Sequence, residues 1–163
     1  MGKITVTGLE DFSRALDQLG EARIGVMKYA LYEGVKVVRE EIVKRLDALP
    51  VDKSRFLKDG DKFNVITRTD LDDLKRGIGV AHMVEDNGGV RTSISFDGYG
   101  SVPTSKYPKG RPLIMIARSV ESGSSVRQKY PFVRQAVNAS KSRAVEAMEK
   151  AAHEKITEIM EGK

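Results

Sequence analysis

The side chains that could do chemistry in this chain are few and scattered. Its two histidines, His82 and His153, lie far apart, and neither belongs to a metal-ligand spacing or an HExxH pattern. Cysteine is absent, which removes disulfides, thiolate nucleophiles and Cys-ligated zinc together. Asp70, Asp72 and Asp73 cluster where a helix is predicted to start, and the helix dipole favours anions there without any metal. Asp59 and Asp61 flank Gly60 but lack the further ligands and the closing Glu of a calcium loop. Gly77-Ile78-Gly79 lacks the third glycine of a dinucleotide fingerprint, and a Gly-Lys-Ser/Thr phosphate loop is missing. The expectation is a protein with no catalytic site, no metal and no cofactor.

Charge is the stronger signal. The chain carries a net charge of +5, and residues 101–134 hold Lys106, Lys109, Arg111, Arg118, Arg127, Lys129 and Arg134 against Glu121 alone. That segment therefore contributes +6 and the remainder −1. A local surplus of this kind points to an acidic protein or a nucleic acid as partner, or to a solvated loop. Tyr107 and Tyr130 sit among these cations and are able to stack bases, although no recognised reader motif accompanies them.

The elements that must position these residues follow from hydrophobic periodicity. Residues 4–7 read as a short strand. Leu9, Phe12, Leu16 and Leu19 mark a short helix, with Gly20 as a break. Ile24, Met27, Leu31, Val35, Val38, Ile42, Leu46 and Leu49 then step by three or four along a long helix that Pro50 closes. Gly34 lies beside that stripe and would let a neighbouring backbone come close. Residues 51–68 are polar and aperiodic, a flexible or partner-ordered insertion. Thr69 is the predicted N-cap of a short helix, with Asp72 as its capping acid and Gly77 as its C-cap. Residues 78–84 and 90–96 flank Asp86-Asn87-Gly88-Gly89, which predicts a hairpin. The alternation of Val90, Thr92, Ile94 and Phe96 gives its second strand one buried face. A Gly-, Pro- and Tyr-bearing loop covers 97–112, the apolar run 113–120 is helix or strand, 121–125 is a turn, and Pro131 opens a long terminal helix.

The chain has 163 residues, 40% of them apolar and none of them Trp, enough for one domain with an aliphatic core. The fold class expected is α+β: a small antiparallel sheet, made of the hairpin and the N-terminal strand, packed with a long N-terminal and a long C-terminal helix. No secretory signal and no run of about 18 apolar residues is visible, which predicts a protein made in a reducing cytoplasm with no membrane partner.

Gly8-Leu9-Glu10-Asp11-Phe12, Thr69-Asp70-Leu71 and Gly77-Ile78-Gly79-Val80-Ala81 precede a more specific series. That series is Asp97-Gly98-Tyr99-Gly100, Tyr107-Pro108-Lys109-Gly110-Arg111-Pro112, Ile116-Ala117-Arg118, Glu121-Ser122-Gly123-Ser124-Ser125 and Pro131-Phe132-Val133-Arg134-Gln135-Ala136. In this order the chain resembles the minor tail, tail-completion or head–tail-joining proteins of long-tailed siphophages and their prophages, over about two thirds of its length. The resemblance implies a non-enzymatic virion protein that forms a homo-oligomeric ring, commonly sixfold. Such a ring closes the tail tube or joins it to the head connector, so its partners are copies of itself, the tail tube protein and connector proteins, with DNA only passing through. The candidate subunit or partner interface comprises Tyr99, Lys106, Tyr107, Lys109, Arg111, Arg118, Arg127, Lys129, Phe132 and Arg134. A lumen rich in positive charge would hinder DNA transit, so these cations are expected to face neighbouring subunits. Two departures from the family pattern stand out: Gln135 replaces a proline, and the 51–68 insertion is longer and more charged. The alternative reading is a cytoplasmic nucleic-acid-binding accessory protein that uses the basic 101–134 segment.

Overall fold

The computed structural model describes residues 9–52, 66–125 and 127–162. The predicted strand at 4–7 and most of the 51–68 insertion, with Asp59 and Asp61, lie outside them. The fold is α+β, as the periodicities predict.

One helix, α1 (Leu9–Asp47), runs unbroken for 39 residues, roughly 58 Å at 1.5 Å per residue. The expected break at Gly20 does not occur. A single helical glycine costs only about 1 kcal/mol relative to Ala, too little to end a helix held by its neighbours. Lys44 and Arg45 occupy the last turn, where the dipole favours cations, and Pro50 follows. Among the described side chains of α1, Ile42 and Leu46, with Leu49 just beyond, enter the central core. Upstream, Ile24, Met27, Leu31, Val35 and Val38 remain half-buried.

That upstream stripe packs on α4 (Phe132–Met160), which runs antiparallel to α1. The order of contacts shows the direction: Arg143 donates to Glu41 at 2.8 Å, and Met148 lies against Gly34. The buried positions of α4 are mostly small: Ala136, Ser140, Ala144 and Ala151 after Phe132. Small side chains on one helix and Gly34 on the other bring the backbones close. A β-carbon on Gly34 would stand 3.3 Å from the Ala144 carbonyl oxygen and would overlap Met148 Cγ and Sδ. The close approach anticipated at Gly34 is therefore to α4.

Between the long helices the chain builds short elements. β1 (Val51–Asp52) pairs in parallel with β2 (Ile66–Thr67), so both ends of the insertion are ordered as strand. α2 (Arg68–Gly77) begins one residue before its expected cap. Thr67, not Thr69, is the N-cap, and its hydroxyl accepts from Asp70 N at 3.2 Å. The helix runs through Gly77, and Ile78 rather than Gly77 is the C-cap.

The hairpin forms in two registers. β3 (Ile78–Val80) pairs with β6 (Ile94–Phe96), Ile78 opposite Phe96; β4 (Val84–Asp86) pairs with β5 (Gly89–Arg91), Val84 opposite Arg91. Residues 81–83 therefore oppose 92–93, three against two, a bulge bridged by Ala81 N to Ser93 O at 2.8 Å. Asn87 and Gly88 both take positive φ, 47° and 76°, as a two-residue primed turn requires. The expected face alternation holds except at Ser95: Val90, Thr92 and Ile94 are half-buried and Phe96 buried, Arg91 and Ser93 are exposed, and Ser95 is half-buried. The bulge lets the β4–β5 half reach α1, where Lys28 pairs with Glu85, while Ile78 and Phe96 stay in the core.

The ambiguous run at 113–120 is helical, part of α3 (Leu113–Ser122). Leu113, Ile116, Ala117 and Val120 are buried at helical spacing, and the helix continues through Glu121 and Ser122, which were expected in the turn. Glu121 then caps the next helix from outside its own sequence: its carboxylate accepts from Val133 N at 2.8 Å and Arg134 N at 3.1 Å. These two donors are among those a helix start leaves unsatisfied. Leu71 and Leu74 of α2, Ile66, Ile78, Phe96, the buried face of α3 and Phe132 complete one core.

Candidate interaction surface

The loop between β6 and α3 is anchored at both ends before it carries anything. Tyr99 and Pro112 form an isolated antiparallel bridge, Gly100 N donates to Arg111 O at 2.8 Å, and Leu113 N donates to Gly98 O at 3.0 Å. Within the loop, Thr104 and Tyr107 exchange backbone hydrogen bonds at 3.0 and 3.1 Å, and Gly110 N returns to Tyr107 O at 2.9 Å. The glycines and prolines of 97–112 thus encode an ordered excursion.

A buried carboxylate holds the loop to the scaffold. Asp73, on the inner face of α2, accepts from Ser101 N at 2.5 Å, from Ser101 Oγ at 2.6 Å and from Arg76 Nη2 at 2.5 Å. Burial alone would raise its pKa. The hydrogen bonds from the Ser101 side chain and backbone, with the charge of Arg76, outweigh that and hold it below the usual carboxylate value. The three clustered acids of α2 therefore diverge: Asp70 meets Arg127, Asp72 lies near Arg68, and Asp73 fixes the loop. None of them acts as the expected capping-box acid. Nothing in the sequence near Asp73 signals a partner 28 residues away.

On this frame sit most of the predicted interface residues. Lys106, Lys109, Arg118, Lys129 and Arg134 are exposed, and Arg111 is half-buried. Tyr99 is exposed beside Val102, and the outer face of α3 adds Ile114 and Met115. Lys106 Nζ stands 5.7 Å from the centre of the Tyr107 ring, and the Tyr107 hydroxyl lies 3.8 Å from Met115 Sδ. Cationic and apolar surface are joined through Tyr107. Sequence reasoning missed Ile114 and Met115; with 113–120 undecided between helix and strand, the outward face could not be separated from the inward one.

Two predicted interface residues are internal. Phe132 is fully buried and packs edge-on against Phe96 with ring centres 6.0 Å apart. Arg127 is 5% exposed and its Nη2 donates to Asp70 Oδ2 at 2.9 Å. Core packing claims Phe132, and pairing with α2 claims Arg127.

Arg127 and Asp70 also line a cleft of about 280 Å³ between α2, α3 and the anchored loop, with Arg111, Val102, Thr104, Ile116 and Ser119 in its walls. His82, in the bulge between β3 and β4, and His153, on α4, are exposed, and among the described residues no group of three His, Asp or Glu side chains is placed to hold a metal ion. No described helix is long and apolar enough to cross a membrane. No family model, curated protein or solved structure matches the chain.

Proposed function

We propose that this chain is a structural subunit of a tailed bacteriophage particle, forming a homo-oligomeric ring that completes the tail or joins it to the head connector. It acts by shape and contact rather than by reaction. The observation that carries the reading is the loop at 101–110. It lies within the 97–136 series that carries the most specific family resemblance, and it is fastened by the Asp73–Ser101 contacts and the Tyr99–Pro112 bridge, with Val102, Lys106 and Lys109 exposed. A loop fixed before contact loses little conformational freedom on docking, which suits a subunit interface. The exposed Tyr29 and Tyr32 of α1 and the exposed Val137 and Val145 of α4 supply further apolar surface for neighbouring copies. Heterologous contacts of this kind close into a ring when the rotation between copies allows it.

Nucleic-acid binding by the same segment is the competing reading, and pairing of Arg127 with Asp70 removes one cation from the charge available to it. Electron micrographs of particles produced without this chain test the proposal. Filled heads separate from tails, or tails of irregular end structure, are expected. Particles of normal form and infectivity would refute it.

A further inference from the structure

We infer that the cleft between α2, α3 and the anchored loop binds a carboxylate carried on a short aliphatic stem, the chemistry of a glutamyl side chain or of a small free acid. The inference does not depend on the assembly reading above. Three features of the cleft lead to it.

The first is an unfinished hydrogen-bond set. Arg127 is 5% exposed, and although Nη2 is paired with Asp70, Nη1 is buried and has no acceptor among the described residues. Buried guanidinium donors are ordinarily satisfied, because leaving one unpaired forfeits its full desolvation cost.

The second feature is the sign and size of the charge. The lining holds Arg111 and Arg127 against Asp70 alone, a surplus of one positive charge. Among the described residues Arg111 has no carboxylate partner, unlike Arg127. One carboxylate neutralises that surplus, and the planar guanidinium fork matches it in two parallel hydrogen bonds. A phosphate near its second ionisation would bring a further negative charge up to Asp70, which disfavours it.

The third feature is the lining away from the arginines. Ile116 and Val102 are apolar, and Thr104 and Ser119 add hydroxyls at the side. A stem of two or three methylenes covers the apolar wall while its carboxylate meets the guanidinium groups. At about 280 Å³ the cleft is at the small end of ligand sites, suited to one side chain.

The test is a titration of the isotope-labelled full chain followed by NMR. The probes are N-acetylglutamate α-amide for a peptide side chain, propionate for a free acid, N-acetylglutamine α-amide as the uncharged isostere, and inorganic phosphate, all at matched ionic strength. Saturable shifts at the Gly100 amide and the Arg127 Nε–H are expected with the carboxylates, at dissociation constants on the order of 1–10 mM for ligands of this size. The uncharged isostere gives none. Tighter binding of capped glutamate than propionate identifies a polypeptide side chain as the source; the reverse order identifies a free acid. Because removing Arg127 risks unfolding the chain, the variant is Arg111→Gln, with Arg111→Lys beside it. Loss of about tenfold in affinity at an unchanged melting temperature is expected for Gln, with partial rescue by Lys. Carboxylate shifts no larger than those from chloride, equal binding of the glutamine probe, or tighter binding of phosphate would overturn the assignment.

Discussion

Gly110 passes so close to Gly100 that a β-carbon on it would lie 1.8 Å from the Gly100 carbonyl oxygen, and its φ of +94° is one that L side chains rarely adopt. Together with Gly100 N donating to Arg111 O, this contact brings the two ends of the loop together and closes its base. Gly110→Ala is therefore expected to destabilise the protein by about 2–4 kcal/mol, because neither the backbone angle nor the facing backbone has room to adjust. For a chain of this length that is a fall of roughly 5–15 °C in melting temperature. Differential scanning calorimetry measures it. Gly20→Ala should act in the opposite direction, since a β-carbon there meets nothing within 4 Å and the residue is helical. A gain of up to about 1 kcal/mol is expected.

The cap of α2 gives a paired test at neighbouring threonines. Thr67→Ala removes the hydroxyl that accepts from Asp70 N and should cost about 1 kcal/mol. Thr69→Ala, one residue into the helix, should stay within about 0.5 kcal/mol of the native chain. Chemical denaturation of both variants compares them directly, and the reverse order of effects would place the cap where the sequence alone suggests it.

Gly34 and Met148 should be coupled. Gly34→Ala forces Met148 aside, since the new β-carbon would overlap Met148 Cγ and Sδ, while the Ala144 carbonyl oxygen, 3.3 Å away, limits the relief. Met148→Ala opens space at the same point. The double variant is expected to be more stable than the sum of the single effects predicts, by about 0.5–2 kcal/mol. A double-mutant cycle in urea reads the difference; simple additivity would mean that α1 and α4 do not meet there.

Acid should weaken the fold through two particular carboxylates. Glu41 is held below the usual value first by its hydrogen bond from Arg143 and then by that from Arg45, against the effect of burial. Burial raises the pKa of Asp73 more than any one interaction lowers it, but the Ser101 and Arg76 interactions together hold it below the usual value. In both, the folded state binds a proton less readily than the unfolded chain does. Their stabilisation is thus complete above the ordinary values of 4.5 and 3.8 and is lost as pH falls below these toward the depressed folded values. Melting temperature should decline below about pH 5, and the decline should be shallower in a Glu41→Gln, Asp73→Asn variant. Thermal scans at constant ionic strength follow it.

Much of this architecture is legible in the sequence because it depends on local periodicity. The stripe from Ile24 to Leu46, the Asn87-Gly88 turn and Pro131 each specify an element from within a few residues. What periodicity hides is long-range. Gly20 reads as a break only if the helix is considered alone, and 113–120 stays ambiguous because four neighbouring apolar residues, Leu113 to Ile116, suit either a buried strand or a helix. Asp73 appears as one of three capping acids until the fold brings Ser101 to it. Glu121 shows no sign of capping a helix that begins eleven residues later. Phe132 and Arg127 look like surface residues because lysines and arginines surround them in sequence, yet three-dimensional neighbours decide their burial. The basic segment is therefore readable from the sequence, whereas its division into anchor, core and exposed face is not.

The most direct measurement is an electron cryomicroscopy map of the infectious particles released by cells that make this chain. The account predicts a closed ring of copies at the tail end or the neck, with loop 101–110 of each copy against a neighbouring protein and most of its cations turned away from the channel. An infectious particle with no copy of the chain in its map would contradict it.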